Sequence, residues 1–507
     1  MFSEFLNSFK EAYWQKVALI IISLIAAYGF YPFVFNLKAE YLNTDLLIFF
    51  LVLSFIVFIA YIRNNPHLSL PWKQVFNNKI AMGSAVVLCF FILVGLLDSI
   101  HFRTEQNLNP ANNVKSYSPN LYSLLDVSLS YISDKTEKTY SAPLSVYSYA
   151  KENFTNENGV KYRAYPRLKY GGAHIKDNDV GKNHLKDILY KSFVGVFIGL
   201  ALTFILFILA FALINIKTKQ PIRIIVRQIF YGETELPWLV MLVATGLIIV
   251  MSAWFLYMSH YYHVMGTDKV GQDVLYLTLK SIRTGLVIGT LTTLIMLPFA
   301  IILGVLAGFY RGIVDDIIQY IYTTLSSIPS ILLIVAVMLA INVYIENHAE
   351  LFETAIERAD IKLLALCAVL GITSWTGLCR LLRGEVFKLR ELEYIQAAKS
   401  LGVSNLKIII NHIVPNVMHI VLIVVVLDFS GLVLAEAILA YIGVGVDPST
   451  ISWGNMINSA RLELAREPAV WWSLISAFSF MFALVLAANL FSDAIRDAFD
   501  PRMQGVK

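Results

Sequence analysis

Residues 393–416 read EYIQAAKSLGVSNLKIIINHIVPN, and this polar stretch lies between two long apolar runs, 362–379 and 416–441. Leu392, Ile395 and Ala398 recur at helical spacing, as do Tyr394, Ala397 and Leu401. Gly402 fits a helix stop, because glycine takes the left-handed conformation without a Cβ clash. Ser404 fits the cap of a second helix, striped by Leu406, Ile409, Ile410 and Ile413, and Pro415 marks entry to the next apolar run. The pattern predicts helix, sharp turn, helix between two membrane spans. The Ala397–Ala398 pair leaves a smooth face on which another surface can come close.

The flanking runs set the class. The chain has 507 residues, of which 57% are hydrophobic and 15% charged. A soluble chain carries about 25% charged residues. Runs of roughly 20 apolar residues recur, each long enough to cross a hydrocarbon core of about 30 Å. The expected fold is an all-α polytopic membrane protein rather than a barrel, whose segments are short and alternating. Spans are expected at 17–37, 45–62, 79–100, 191–215, 238–258, 284–309, 316–345, 362–379, 416–441 and 471–491, about ten helices. Pro298 and Pro329 are expected to mark kinks or a helix start. The first run reads as a retained anchor, since it is long for a signal peptide and no small-x-small cleavage site follows.

Basic residues in short loops set the orientation. Loop 380–415 carries Arg380, Arg383, Lys388, Arg390, Lys399 and Lys407, whereas 346–361 carries Glu346, Glu350, Glu353, Glu357 and Asp360 against Arg358. The basic loops are expected in the cytoplasm, with both termini. Residues 101–190 are polar and rich in Tyr, Asn, Ser and Lys, and span counting places them outside as a small domain or insertion. The expected organisation is an extension with about three spans over 1–100, the external segment 101–190, a fourth helix and linker over 191–237, and a core over 238–507.

The net charge of +4 shows no basic face for nucleic acid. Cys89, Cys367 and Cys379 lack metal-ligand spacing and lie in or beside apolar runs. No His-Glu-x-x-His, nucleophile elbow or phosphate-binding glycine loop appears, so no catalytic residue, metal site or own ATPase site is expected. Asp428 and Glu436 stand out inside an apolar run and lie on roughly the same helix face. Each is costly against lipid, so they face protein or water. Two roles stay open for them: hydrating a passing solute, or anchoring a neighbouring helix.

The stretch at 393–416 resembles the cytoplasmic loop of permease subunits in binding-protein-dependent ABC importers, whose pattern is Glu-Ala-Ala, three residues, Gly, nine residues, Ile, one residue, Leu-Pro. Ala397, Ala398, Gly402 and Pro415 match; Gln396, His412 and Val414 depart. GTDKVGQDV resembles the Gly-Thr-Asp-x-x-Gly-Arg-Asp-Val segment of the oligopeptide and dipeptide importers' C-type permease: Gly266, Thr267, Asp268, Gly271, Asp273 and Val274 match, and Gln272 replaces Arg. The spacing of these acids lacks the bidentate Glu and other ligands of an EF-hand. GFYRGIVDDIIQYIYTTLSSIPSILL, YIGVGVDPSTISWGNMINSAR and FSDAIRDAFDPRM resemble further family stretches in the same order. Glu436 matches an acid that the family often carries, and Asp428 has no counterpart.

The resemblance implies six core helices, a second homologous permease, two cytoplasmic ATPase subunits that use the ATP, and an external substrate-binding protein. It implies a di- or oligopeptide import permease in the inner membrane, with Gln396, Ala397, Ala398, Gly402 and Pro415 in the ATPase-coupling loop. Nickel or a peptide antibiotic is an alternative cargo within the superfamily. A self-contained secondary transporter is the alternative from another class, and it would show inverted repeats.

Overall fold

The computed structural model describes residues 38–499, apart from 65, 107–115, 119, 156–160, 177–179, 219–220, 233, 235, 349, 351 and 353. The expected span 17–37 and the Asp-Pro-Arg ending at 500–502 lie outside the described residues. In chain order the helices are α1 (Asn43–Asn64), α2 (Pro66–Asn77), α3 (Lys79–Asp98), α4 (Leu124–Ser128), α5 (Ser130–Ser133), α6 (Val180–Thr218), α7 (Ile222–Tyr231) and α8 (Trp238–Met258). There follow α9 (Val274–Tyr310), α10 (Ile313–Ser327), α11 (Ser330–Asn347), α12 (Ala355–Arg390), α13 (Glu393–Ser400), α14 (Asn405–Ile408), α15 (Val414–Ile442), α16 (Trp453–Glu463) and α17 (Trp472–Phe499). Short antiparallel strands at Lys38–Ala39, His101–Arg103 and Tyr122–Ser123 make one small sheet, and Glu152–Thr155 pairs with Lys161–Ala164 in a hairpin.

Nine of the ten expected spans fall on described residues, and eight helices there are long and apolar enough to cross a bilayer. The run at 45–62 falls on α1, whose apolar stretch Asn43–Val57 is shorter. The expected span 316–345 is not one helix. Ile328 is extended (φ −88°, ψ 130°) because the following Pro329 disfavours the helical conformation in the residue before it, so amphipathic α10 ends and the spanning α11 begins afresh. Pro298 sits inside α9. The fourth span begins earlier than expected, within a helix that already starts at Val180.

Glycines set the closest helix approaches. On α9, a Cβ at Gly304 would fall 2.9 Å from the Cys379 carbonyl oxygen, and one at Gly308 would fall 2.6 Å from Val386 Cβ and 2.9 Å from the Arg383 carbonyl oxygen. At Gly371 of α12 it would fall 3.0 Å from the Thr292 carbonyl oxygen. This is the small-residue packing that joins helices in lipid, where apolar burial supplies no net drive. α6 and α8 approach in the same way: a Cβ at Gly199 would lie 2.7 Å from the Val250 Cα.

The extension is built into this core. α3 packs against α9, α17 and α8, and α1 lies against α9 and α12. Its first turn carries Thr44 and Asp45, both fully buried. Asp45 accepts a hydrogen bond from Arg283 Nη2 at 2.5 Å and pairs with His101 Nδ1 at 2.7 Å. Thr44 accepts from Arg283 Nη2 at 2.8 Å and donates to Asp360. Beside them Lys280 Nζ meets both Asp126 carboxylate oxygens at 2.5 and 2.6 Å, and Ser123 donates to Asp98 at 2.6 Å.

Removing one partner of a buried ion pair strands the other charge and costs about 3–5 kcal/mol, whereas replacing both by apolar groups is close to neutral. Arg283→Met is therefore expected to lower the thermal stability of the detergent-purified protein strongly. Arg283→Met with Asp45→Leu recovers most of the loss, read as the midpoint of heat-induced loss of the monodisperse peak.

Candidate functional site

Two sites sit at opposite ends of α9. At its C-terminal end, α13 follows α12 after a break of two residues, Glu391 and Leu392. Ile395 is buried and Ala398 half-buried against Ile408, Ile409 and Ile413, which ties α13 to the base of α15. The opposite face is open: Tyr394, Gln396 and Ala397 are exposed, Leu401 is 84% exposed and Leu406 67%. Gly402 has φ +79° and nothing within 4 Å of where a Cβ would stand, so backbone conformation rather than crowding requires glycine there.

The second half of this loop differs from the expected separate helix. α14 runs into α15 through a π turn, Ile409–Ile413, so the expected second helix is the foot of the next span. Pro415 sits in the first turn of α15, straight after the π turn, where the hydrogen-bond ladder is already shifted. Ser404 occupies the cap position but makes no side-chain cap bond. Gln396 Nε2 donates to the Arg390 carbonyl oxygen at 3.1 Å, a bond that a Glu carboxylate at this position has no proton to make.

The turn between α9 and α10 lies against the same end of α12. Arg311 there has φ +56° and ψ −174°, a region nearly reserved for glycine that costs roughly 1–3 kcal/mol in other residues. Arg383 of α12 grips Asp315 of α10 in a two-point pair, Nε to Oδ1 at 2.5 Å and Nη2 to Oδ2 at 2.8 Å.

At the other end, Gly266–Val274 forms the entry to α9. Asp273 caps that helix, its Oδ1 accepting from Leu275 N at 2.8 Å. Asp268 Oδ1 accepts from the backbone N–H groups of Val270 and Gln272, at 3.0 and 2.8 Å. Both acids thus serve backbone donors. Gly266 and Gly271 have φ of +72° and +78°. The insertion clasps this segment: a Cβ at Gly271 would run into the Glu137 carbonyl oxygen, Glu137 N donates to Gly271 O at 2.9 Å, and Ser141 N donates to Thr267 Oγ1 at 2.6 Å.

Glu137 and His263 complete the clasp, and both were invisible in the sequence pattern. His263 Nδ1 meets Asp273 Oδ2 at 2.8 Å, and its Nε2 faces Glu137 Oε1 at 3.4 Å. Burial opposes the imidazolium, but the hydrogen bonds to Asp273 and Glu137 outweigh it and lift His263 to about 9. Burial likewise opposes ionised Glu137, and the bonds it accepts from His263 and from the N–H groups of Lys169, Tyr170 and Gly171 outweigh it and hold it at about 2.

Asp428 and Glu436 part company. Glu436 is buried and accepts from Ser452 Oγ at 2.9 Å, and a Cβ at Gly454 would fall 2.4 Å from its Oε1. It holds the Ser452-Trp453-Gly454 turn at the start of α16. Asp428 is half-buried with no hydrogen-bond partner among the described residues.

Residues 300–505 match the family model described as the inner membrane component of binding-protein-dependent transport systems. A dipeptide transport system permease protein, DppC, of Alkalihalophilus pseudofirmus is 32% identical over 242 residues, 48% of this chain and 73% of the relative. The chain belongs to this family of transport permeases. The oligopeptide permease protein OppC of Bacillus subtilis is 28% identical over 242 residues, covering 72% of that protein, and OppC of Mycobacterium tuberculosis is 29% identical over 245 residues, covering 78%. The permease is an all-α, multi-pass membrane protein with its family core in the C-terminal half.

The clasp gives a pH prediction. Because the folded pKa of His263 is raised, its contribution to stability is fully present below its ordinary value of 6.5 and is lost as pH rises through about 9. The thermal midpoint of the unaltered permease is expected to fall more between pH 6.5 and 10 than that of His263→Gln, and the difference between the two curves isolates the histidine.

Proposed function

We propose that this permease is the C-type subunit of an ATP-driven importer of di- or oligopeptides. It lines part of the pathway with a second homologous permease, two ATPase subunits drive it from the cytoplasm, and an external binding protein delivers solute. The chain itself supplies no ATPase site and needs no cofactor; ATP belongs to its partners. The observation that carries this reading is the open face of α13, with exposed Gln396, Ala397 and Leu401 next to the unhindered Gly402 turn. The peptide cargo is supported by the names of the relatives, which are oligopeptide and dipeptide permeases.

α13 and both termini are assigned to the cytoplasm, and the insertion with Gly266–Asp273 to the outside. The basic residues Arg380, Arg383, Lys388 and Arg390 that support this side form the last turns of α12. The organisation follows: extension over 1–100, outer insertion over 101–190, helix and linker over 191–237, permease core over 238–507. A helix that docks differently in two global states couples nucleotide binding to gating.

Gly402→Val forces a β-branched residue to positive φ, so α13 is presented at the wrong angle. Uptake of a labelled alanine tripeptide by cells is expected to drop about tenfold or more while the protein stays inserted and the ATPases still hydrolyse ATP; unchanged uptake refutes a coupling role for this loop. For sidedness, Tyr165 is 46% exposed, and in a Cys89→Ala background Tyr165→Cys is expected to react with an impermeant maleimide on intact cells or spheroplasts. Labelling only after lysis reverses the topology.

A further inference from the structure

The two connections of α13 to the rest of the molecule are mechanically unlike. Towards α15 the path runs through Gly402 and the π turn, beside the packing of Ile395 and Ala398 and one hydrogen bond from Asn416 Nδ2 to the Tyr394 hydroxyl at 3.2 Å; among the described residues no ion pair joins 401–416 to another element. Towards α12 the path is two residues long. α12 is in turn seated on α9 through Gly304 and Gly308. A glycine seam brings backbones close, but it is non-directional and leaves sliding unopposed. Directional bonds at this end remove that freedom. Arg383 holds Asp315 by two parallel hydrogen bonds, and Arg390 Nη1 donates to the Phe309 carbonyl oxygen at 2.7 Å. The paired side chains are 21% and 11% exposed, so solvent screens this pair less than a surface one. Arg311 adds a second contact: its guanidinium meets Glu391 Oε1 at 2.8 Å and lies 5.1 Å from the Phe387 ring centroid, while Arg383 covers that ring at 4.6 Å.

The backbone at Arg311 sharpens the point. Its positive φ suits glycine, yet arginine stands there. The contact with Glu391 is solvent-exposed on both sides, and such pairs contribute little to stability. A strained backbone kept for a bond of little stabilising value points to a positional role.

We propose that Arg383 and Asp315 are positioning residues of the coupling step, with Arg311 as their auxiliary: they lock the α9–α10 turn to the root of α13, so that displacement of α13 is delivered to α9 and α12 as one body. This rests on the reading of α13 as the ATPase-docking helix. The bidentate fork matters because one contact point leaves a swivel, whereas two fix orientation as well as distance. Lysine at 383 keeps the charge and loses the fork.

The test uses the assembled complex in nanodiscs: this permease, its homologous permease, the two ATPases, and the system's binding protein as purified from cells. Three quantities are read: retention of the ATPases, the thermal midpoint, and stimulation of ATP hydrolysis by the binding protein. Asp315→Asn and Arg383→Lys are each expected to retain the ATPases and to lose about fivefold or more of the stimulation. The double variant is expected to be no worse than the weaker single one, since both remove one link. Arg311→Gly relieves the backbone, so its thermal midpoint is expected to hold or rise while stimulation still falls about twofold; a purely structural role predicts no fall. Undiminished stimulation in Asp315→Asn and Arg383→Lys overturns the positioning role, and so does loss of ATPase retention by both, which would make them merely structural. Failure of the unaltered permease to retain the ATPases overturns the coupling reading and the lock together.

Discussion

The backbone contact between α9 and α12 is the constraint on which the rest depends. In lipid, a helix pair gains little from hiding apolar side chains, because the solvent is itself apolar. What holds α9 to α12 is distance: Gly304, Gly308 and Gly371 remove the side chains that would keep the backbones apart. The pair then spans from the clasped Gly266–Val274 entry at one end to the root of α13 at the other. Each functional segment is an end fitting of the same two-helix strut.

Polar groups are distributed along this strut as the dielectric demands. The middle of α9 is glycine, threonine and aliphatic residues, and the threonines at 290 and 293 donate to carbonyl oxygens one turn back. Charges gather near the ends. Lys280, Arg283 and Asp360 meet the extension at one end, and Arg383 and Asp315 meet across the turn at the other. An unpaired charge in the hydrocarbon is expensive, so each is paired. Pairing with Thr44, Asp45, Asp98 and Asp126 makes the extension and insertion part of the core's electrostatics rather than ornaments on it.

What the sequence disclosed follows from what is local. α13, the Gly402 turn and most spans were legible because helical periodicity and glycine conformation act within a few residues. The break before α11 was partly legible: Pro329 was expected to mark a kink or a helix start and stands immediately before α11, but a continuous apolar run hid that α10 is a separate helix. The buried ion pairs were hidden by span boundaries: with a span begun at 284 and another at 362, Lys280, Arg283 and Asp360 count as loop residues, whereas α9 starts at Val274 and α12 at Ala355. Sequence spacing put Asp428 and Glu436 on about the same face, yet only Glu436 meets the turn that opens α16. The clasp was out of reach of any local rule. Glu137 meets His263 and Gly271 across more than a hundred residues, and nothing in the insertion's composition signals it.

The clasp has a mechanical consequence. Gly271 is required twice over, by its φ and by the Glu137 carbonyl that occupies the space of its Cβ. Thr267, fully buried, exchanges bonds with Ser141 and donates to the Thr139 carbonyl oxygen, and Trp472 Nε1 donates to the Thr267 carbonyl oxygen at 2.9 Å. The N-terminus of α9, the insertion and the start of α17 therefore share one polar knot. Breaking the knot would bare several buried donors and acceptors at once, each costing about 1–3 kcal/mol when unsatisfied. Displacing α9 along or across the membrane leaves those bonds intact only if the insertion travels with it. An insertion joined in this way can move only with the N-terminus of α9, and the α9–α12 pair joins that end of the molecule to the root of α13.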